Sequence, residues 1–531
     1  MLLFDLDTTR RKDAKILWSM AILGATGAAV WGSYLIQQAA LPDYDTARNF
    51  LIVKAMAQGH WQDFFHHASP LLFLIYYPVY LLFSTAIPWY PLLWVSVLSN
   101  ALAIGVAIYQ GAKYFSSGYT LVWCLALLLW MHSSFFINNT SFYLSIEAPS
   151  AALAWLWFWQ ISHALSHKQT LWQPHLALSW VLIVLLNYKA LLLLPLVGSY
   201  VLWVQPSALR LSGRWWLAPL DAVVCVLTFM SLGSLMGLSF WQYPATLVAL
   251  FWQTPGKLQA ASFDLFFYLK YWVLYENLCA LLSFLPLLAL LKSPRQHSPI
   301  VLMSWIGIGT LFGMSLLSIK APRGILWAYF PLYWASFMFG HQHIYKLIYQ
   351  FPIPASNKWP QLASTGLLIL LFWTTFFLHI HMYQQHFKFN TAPYLTQGHP
   401  EMFAQLSAEN IYRVASPTAN LSAVAWGQLY GVEVLLISPD IGEDSLLSLG
   451  IRYLLEDDYA SIVQQTQAYA PTWTQYRIVS FWPNQAVKAP LLYLEHSEFN
   501  GWTLHQALRQ QAEAKKSVFT LRLRDLSQPI K

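Results

Sequence analysis

About eleven apolar runs, each near the length needed to cross a bilayer, occupy most of this chain, and few charges interrupt them. They lie near 16–37, 91–112, 118–137, 148–166, 175–187, 189–204, 216–238, 267–291, 299–317, 323–340 and 363–383. A soluble domain carries about 25% charged residues. This chain carries 10%, with 57% hydrophobic, which excludes an ordinary soluble fold. Within hydrocarbon every backbone amide must be paired internally, so such runs can only be helices. The expected class is an α-helical polytopic membrane protein. The 27 Trp and 29 Tyr fit many turns and helices at the membrane interface.

Charge placement orients the helices. Arg10, Arg11, Lys12, Lys15, Lys113, Lys168, Arg210, Arg214, Lys292, Arg295, Lys346 and Lys358 fall on one side, as the positive-inside rule requires of a cytoplasmic face. The apolar stretch 70–87 is short, Pro-bounded and rich in Tyr and Phe. A full crossing there would invert every later loop, so it reads as a re-entrant or interfacial helix. The expectation is a multi-pass protein of the plasma (inner) membrane with a cytoplasmic N-terminus and no cleavable signal. Gly24, Gly27, Gly307, Gly309 and Gly313 lie inside runs and read as helix-packing positions. Three Cys, also inside runs, supply no zinc or disulfide framework.

Two domains are expected. Residues 1–384 form a membrane domain with a long first outer loop, 38–90. Residues 385–531 form a small α/β domain on the outer side. Within it 411–417, 432–438 and 452–455 read as strands, separated by helical stretches at 420–430, 442–449 and 459–470. Alternation of this kind favours a largely parallel sheet. The alternating pattern of 518–524 suits an edge or antiparallel strand. No Gly-rich phosphate loop follows a strand, so nucleotide binding is not expected.

The few remaining charges gather on the non-cytoplasmic face: Asp45, Glu147, Lys189, Lys320 and Arg323. Charges in or beside hydrocarbon are costly and mark function by default. Asp45 opens a helix that runs to about Gly59 and could serve as a helix cap or as a general base. Glu147 begins an apolar run, where the helix dipole alone would favour an acid. Lys189, Lys320 and Arg323 precede helices, where a cation opposes the dipole, so capping does not explain them. Headgroup snorkelling or phosphate binding does. His66 and His67 close the first loop and suit substrate contact. Adjacent side chains diverge on a regular backbone, and no nearby residue completes a ligand set, so no metal is expected. Glu276 and Lys270 share the outer half of one run, and a partner elsewhere is expected for them.

Taken in order, these motifs resemble a family. Asp45 follows the first span and Gly59 lies fourteen residues on; His67 and Pro70 form a His-x-x-Pro-like element. Glu147 opens a later span, Lys189 lies between paired short helices, and Lys320-x-x-Arg323 precedes a span containing Pro331. The chain is similar to the GT-C class of polyprenyl-phosphate-sugar glycosyltransferases, in the bacterial branch of protein mannosyltransferases and lipid A aminoarabinose transferase. The resemblance covers about 15–455, including LGIRYLLED at 449–457. It departs where the family often has Asp-Glu (here Asp45-Thr46) and His-Pro-Pro (here His67-Ala68-Ser69-Pro70). It implies transfer of a sugar from a polyprenyl-phosphate donor to a glycan, lipid or protein acceptor, with inversion and without a metal or other cofactor. In that scheme Asp45 and Glu147 are catalytic, Lys189, Lys320 and Arg323 hold the donor phosphate, and nucleic acid plays no part. Two other classes share the outer charges: a lipid-linked-sugar transporter or flippase, and a non-catalytic partner subunit of the same fold. Against transport stands the lack of an internal repeat or matched broken helices.

Overall fold

The computed structural model describes residues 14–38, 44–83, 85–115, 120–211, 213, 215–256, 264–292, 297–316, 319–320, 322–350, 366, 398–416, 420–438, 441–457, 476–484, 499–500 and 519–529. The expected span at 363–383 and the expected helix at 459–470 lie outside these residues.

Helix α1 (Ala14–Gln38) is followed by α2 (Tyr44–Ala57), α3 (Pro70–Leu82) and α4 (Tyr90–Ala112). Glycines bring α1 and α4 together. A Cβ on Gly24 would lie 2.1 Å from Ile108 Cδ1, and one on Gly32 2.7 Å from Val97 Cγ1. Small residues permit this close backbone approach, the main source of helix affinity where no water drives association. Gly307 plays the same part later, its missing Cβ making room for Leu332, whereas Gly313 faces open space.

The chain continues through α5 (Thr120–Met131), the five-residue α6 (Phe135–Asn139) and α7 (Glu147–Ser166). Then come α8 (Pro174–Leu186), α9 (Leu193–Val204), α10 (Leu217–Leu235) and α11 (Gln242–Gly256), the last without an expected counterpart. Next are α12 (Phe267–Tyr275), α13 (Leu288–Lys292), α14 (Pro299–Ser315) and α15 (Leu326–Gln350). Among the described residues three helices are long and apolar enough to cross a membrane, within α1, α4 and α10. Six further apolar helical pieces are shorter.

Polar breaks account for part of that shortness. The expected run 267–291 is cut at Glu276 and Asn277, where the backbone turns extended before a 3-10 stretch at Leu278–Leu287. The Glu276 carboxylate accepts from the amides of Phe135 (3.2 Å) and Phe136 (2.8 Å), satisfying the start of α6, and from the Tyr333 hydroxyl at 2.6 Å. Lys270 pairs instead with Asp264, at 3.0 Å. Both charges find partners elsewhere, as expected. The stretch 70–82 is a single helix of about 20 Å, with Pro78 inside it, too short for a perpendicular crossing.

Helix α2 ends as its sequence dictates. The amide of His60 reaches the Ala55 carbonyl (2.9 Å) and that of Gly59 the Met56 carbonyl (3.0 Å), with Gly59 at φ +88°. This is a glycine-terminated helix end in the left-handed region.

Beyond the helical part, the two-residue strand β1 (Ile319–Lys320) precedes α15, and α16 (His399–Ala408) leads into a sheet. Its elements are β2 (Arg413–Ser416), α17 (Leu421–Tyr430), β3 (Glu433–Leu436), α18 (Glu443–Ser448), β4 (Tyr453–Asp457) and β5 (Tyr476–Asn484). After β6 (Phe499–Asn500), β7 (Phe519–Pro529) completes it. The order is β3-β2-β4-β7-β5, with β2 parallel to β3 and β4, and β7 antiparallel to β4 and β5. The expected strand at 518–524 is therefore antiparallel but interior, covered by β5. Among the described residues the sheet domain touches the helical part through α17 and through β6. Helix α17 lies on α2, where Lys54 Nζ donates to Gln428 Oε1 at 2.6 Å and Trp426 stands edge-on to Trp89 with centroids 4.9 Å apart. Strand β6 pairs with β1, Asn500 opposite Ile319 and Phe499 opposite Lys320.

Because Gly59 adopts a left-handed conformation with open space around its missing Cβ, Gly59→Ala is expected to cost about 1–2 kcal/mol through backbone strain alone. Reversible unfolding in mixed detergent measures it; an unchanged midpoint would contradict the helix end described.

Candidate active site

Three segments far apart in sequence deliver their charges to one place. Asp45 stands in the first turn of α2, Glu147 is the first residue of α7, and Arg323 lies in the 3-10 turn Pro322–Ile325 that leads into α15. Asp45 and Glu147 are both buried, at 7% exposure. The Arg323 guanidinium donates from Nη1 to Asp45 Oδ2, and its Nε lies 3.8 Å from Glu147 Oε1. A second guanidinium, Arg48, sits one helical turn after Asp45 and donates to its other oxygen at 2.5 Å. Two carboxylates thus balance two guanidiniums. Arg48 is not among the expected residues, because a basic residue three positions after an acid reads as an ordinary helix pair. Its (i, i+3) spacing from Asp45 was the available signal.

The other expected residues are placed as follows. Lys189 lies half-buried in a 3-10 turn (Tyr188–Leu192) at the end of α8, its amide bonded to Asn187 Oδ1 at 3.2 Å. Lys320 lies in β1, three residues before Arg323, with its backbone paired to Phe499; its side chain is outside the described residues. The structure thus brings Asp45, Glu147 and Arg323 into contact and puts Lys320 on the same loop as Arg323. Lys189 belongs to a turn packed chiefly on α8 and α9.

His66 and His67 do not diverge. His67 and Ala68 both adopt left-handed backbone, at φ +50° and +51°, and this folds the two imidazoles together with centroids 4.2 Å apart. Ser69 helps to hold the turn, its hydroxyl donating to the His67 carbonyl at 3.1 Å. Non-glycine residues in this region store about 1–3 kcal/mol each, and such strain concentrates at functional sites. Among the described residues no group of three His, Cys, Asp or Glu is placed to hold a metal ion.

Beside the charge cluster lies a cavity of about 450 Å³ between α2 and α17. Arg48, Lys54, Asp63 and His66 line one wall and Leu421, Val424 and Gln428 the other. His66 Nε2 is buried and has no hydrogen-bond partner among the described residues. Burial, and then the nearby Arg48 cation, push the His66 imidazole down to about 4. The ring is therefore neutral at physiological pH, able to donate or accept one hydrogen bond.

The chain matches no protein-family model and no curated protein. Among solved structures it is similar to ArnT from Cupriavidus metallidurans bound to undecaprenyl phosphate: 14% identity, TM-score 0.56, covering 86% of this chain and 96% of that one. For the same protein in the apo state the values are 13%, 0.54, 88% and 97%. The Archaeoglobus fulgidus oligosaccharyltransferase, tethered with an acceptor peptide, aligns at 12% identity and TM-score 0.47, over 87% of this chain and 72% of that one. At such identities the likeness concerns the fold. The chain shares the overall fold of ArnT over nearly the whole length of that protein.

The shift of His66 has a pH consequence. Its folded value lies below the ordinary 6.5, so between about 6.5 and 4 the unfolded chain binds the proton and the folded chain does not. Stability conferred by the neutral ring is complete above 6.5 and declines as pH falls through this window. Wild type should lose more stability than His66→Gln between pH 7 and 5 in detergent melts. Equal losses would show that His66 does not titrate with unfolding.

Proposed function

We propose that this protein is a membrane glycosyltransferase that moves a sugar from a polyprenyl-phosphate donor to an acceptor at the non-cytoplasmic face. The observation that carries the reading is the meeting of Asp45, Glu147 and Arg323, from segments about a hundred or more residues apart, in a chain with the GT-C fold. ArnT from Cupriavidus metallidurans has that fold and is found bound to undecaprenyl phosphate. A guanidinium flanked by carboxylates suits a reaction in which phosphate charge grows while a hydroxyl is activated.

In the reaction the acceptor hydroxyl oxygen attacks the anomeric carbon, and the bond from that carbon to the phosphate oxygen breaks. The electron pair leaves with polyprenyl phosphate, and the hydroxyl proton passes to Asp45 or is held by it. Arg323 is the principal group on the phosphate, because guanidinium matches phosphate in a bidentate way. Lys320 and Lys189 add positive charge on that side. When Arg323 turns to the donor, Oδ2 of Asp45 becomes available to the acceptor. Glu147 orients acceptor or sugar hydroxyls. Attack from the face opposite the phosphate inverts the anomeric centre. The cavity between α2 and α17 meets the charge cluster at Arg48 and would hold the acceptor, with His66 as a hydrogen-bonding wall and His67 beside it as a further contact. The protein sits in the inner membrane with its N-terminus in the cytoplasm, and the 385–531 domain lies outside. No metal or other cofactor enters the scheme.

Asp45→Asn keeps the shape of the side chain and removes its charge. Transfer from radiolabelled polyprenyl-phosphate sugars into membrane extracts should fall about 10²–10⁴-fold, the usual contribution of a positioned acid–base group. Full transfer by the variant would move the base elsewhere. No transfer by wild type from any donor would favour a partner subunit of the same fold.

A further inference from the structure

Glu147 owes its position to an irregular stretch of backbone, and that stretch is held by side chains from three helices. Residues 143–146 lie between the 3-10 turn Thr140–Phe142 and α7, outside any helix or strand. Three successive carbonyls in it accept from side chains. The Ser96 hydroxyl of α4 donates to Tyr143 O at 2.6 Å, the Asn49 amide of α2 to Leu144 O at 2.5 Å, and the Tyr76 hydroxyl of α3 to Ser145 O at 3.3 Å. The Leu144 amide in turn donates to Thr46 Oγ1 at 3.0 Å. All of these side chains are buried, Thr46, Ser96 and Tyr76 at 0% exposure and Asn49 at 5%. Irregular backbone persists at membrane depth only where protein satisfies it in this way.

Thr46 and Asn49 stand at i and i+3, on one face of α2. Together they take both polar groups of a single residue, Leu144, as a neighbouring strand would. Leu144 is three residues before Glu147, and Thr46 is the residue after Asp45. The clamp therefore ties the helix turn that carries one site acid to the segment that delivers the other. The branched Cβ of Thr46 restricts χ1, so its oxygen is a stiff acceptor.

We infer that Thr46 and Asn49 are positioning residues, which set the distance between Asp45 and Glu147 through a two-point hold on the Leu144 peptide. The inference deepens the proposed glycosyl transfer and rests on it. It also gives a role to the threonine that stands where related sequences often carry glutamate. That residue serves the active site through the backbone.

The test compares Thr46→Val, which keeps shape and removes the acceptor, with Thr46→Ser, which keeps the acceptor. Asn49→Leu removes the other half of the hold. Two readouts are taken on detergent-purified protein of full length: kcat and KM for transfer, and hydrogen exchange of the 143–147 amides. Thr46→Val and Asn49→Leu should each lower kcat up to about 100-fold, the penalty for displacing a reacting group by about 1 Å, with little change in donor KM. Thr46→Val should also expose the Leu144 amide to exchange, and Thr46→Ser should restore both. Wild-type kcat in Thr46→Val with fast exchange would leave a structural clamp and overturn the positioning role. Wild-type protection in Thr46→Val would overturn the clamp itself. A general melt, with exchange raised throughout the helices and Thr46→Ser failing equally, would also overturn it. If wild type transfers nothing from any donor, the glycosyltransferase reading falls, and exchange alone decides the clamp.

Discussion

The contact between Asp45 and Arg323 organises this molecule. It joins the helix after the first span to the turn before α15, two segments 278 residues apart. Each charge offsets part of the cost of holding the other out of water, since an isolated ion beside hydrocarbon costs several kcal/mol. Deleting one partner of a buried pair typically costs about 3–5 kcal/mol where the survivor has no other counter-charge; here Arg48 on Asp45 and Glu147 near Arg323 soften that cost. Arg48 and Glu147 complete the balance, one against each member of the pair. Among the four described side chains two negative charges face two positive ones. In the proposed reaction an incoming phosphate would redistribute this pairing, which would link donor capture to release of the Asp45 carboxylate.

The sheet domain is built around the same cluster. Its helix α17 rests on α2, which carries Asp45, and its strand β6 extends the loop that carries Arg323. Both charged segments are thus in contact with one domain. The cavity between α2 and α17 exists only because that domain is in place. Two ion pairs link β7 to the β4 segment: the buried Glu456 lies 2.8 Å from Arg524, and the buried Asp525 2.6 Å from the exposed Arg452.

Much of this was legible in the sequence. Asp45, Glu147 and Arg323 stand out because charges are rare in an apolar chain. The α/β alternation after residue 411 also reads directly, since β-branched runs separated by helical stretches leave few other folds. Other features depend on tertiary contacts that local patterns signal weakly or not at all. Arg48 hides within a common helix spacing. Thr46 and Asn49 act on a backbone nearly a hundred residues away. The meeting of the His66 and His67 rings requires left-handed backbone at His67 and Ala68, which neither residue type announces. The break at Glu276 is marked only by an acid inside an apolar run, and its partners on α6 and α15 appear once the helices are packed. Strand β5 has no expected counterpart, so nothing in the sequence analysis covers the side of β7 that it pairs with.

The most direct test of the central claim is the affinity of purified protein for undecaprenyl phosphate, measured for wild type and Arg323→Gln in the same detergent. If Arg323 is the phosphate-binding group, losing a hydrogen bond to a charged partner, worth about 1.5–3 kcal/mol, should weaken binding about 10- to 100-fold. Equal affinity in the two proteins, or no binding by wild type, would contradict the assignment.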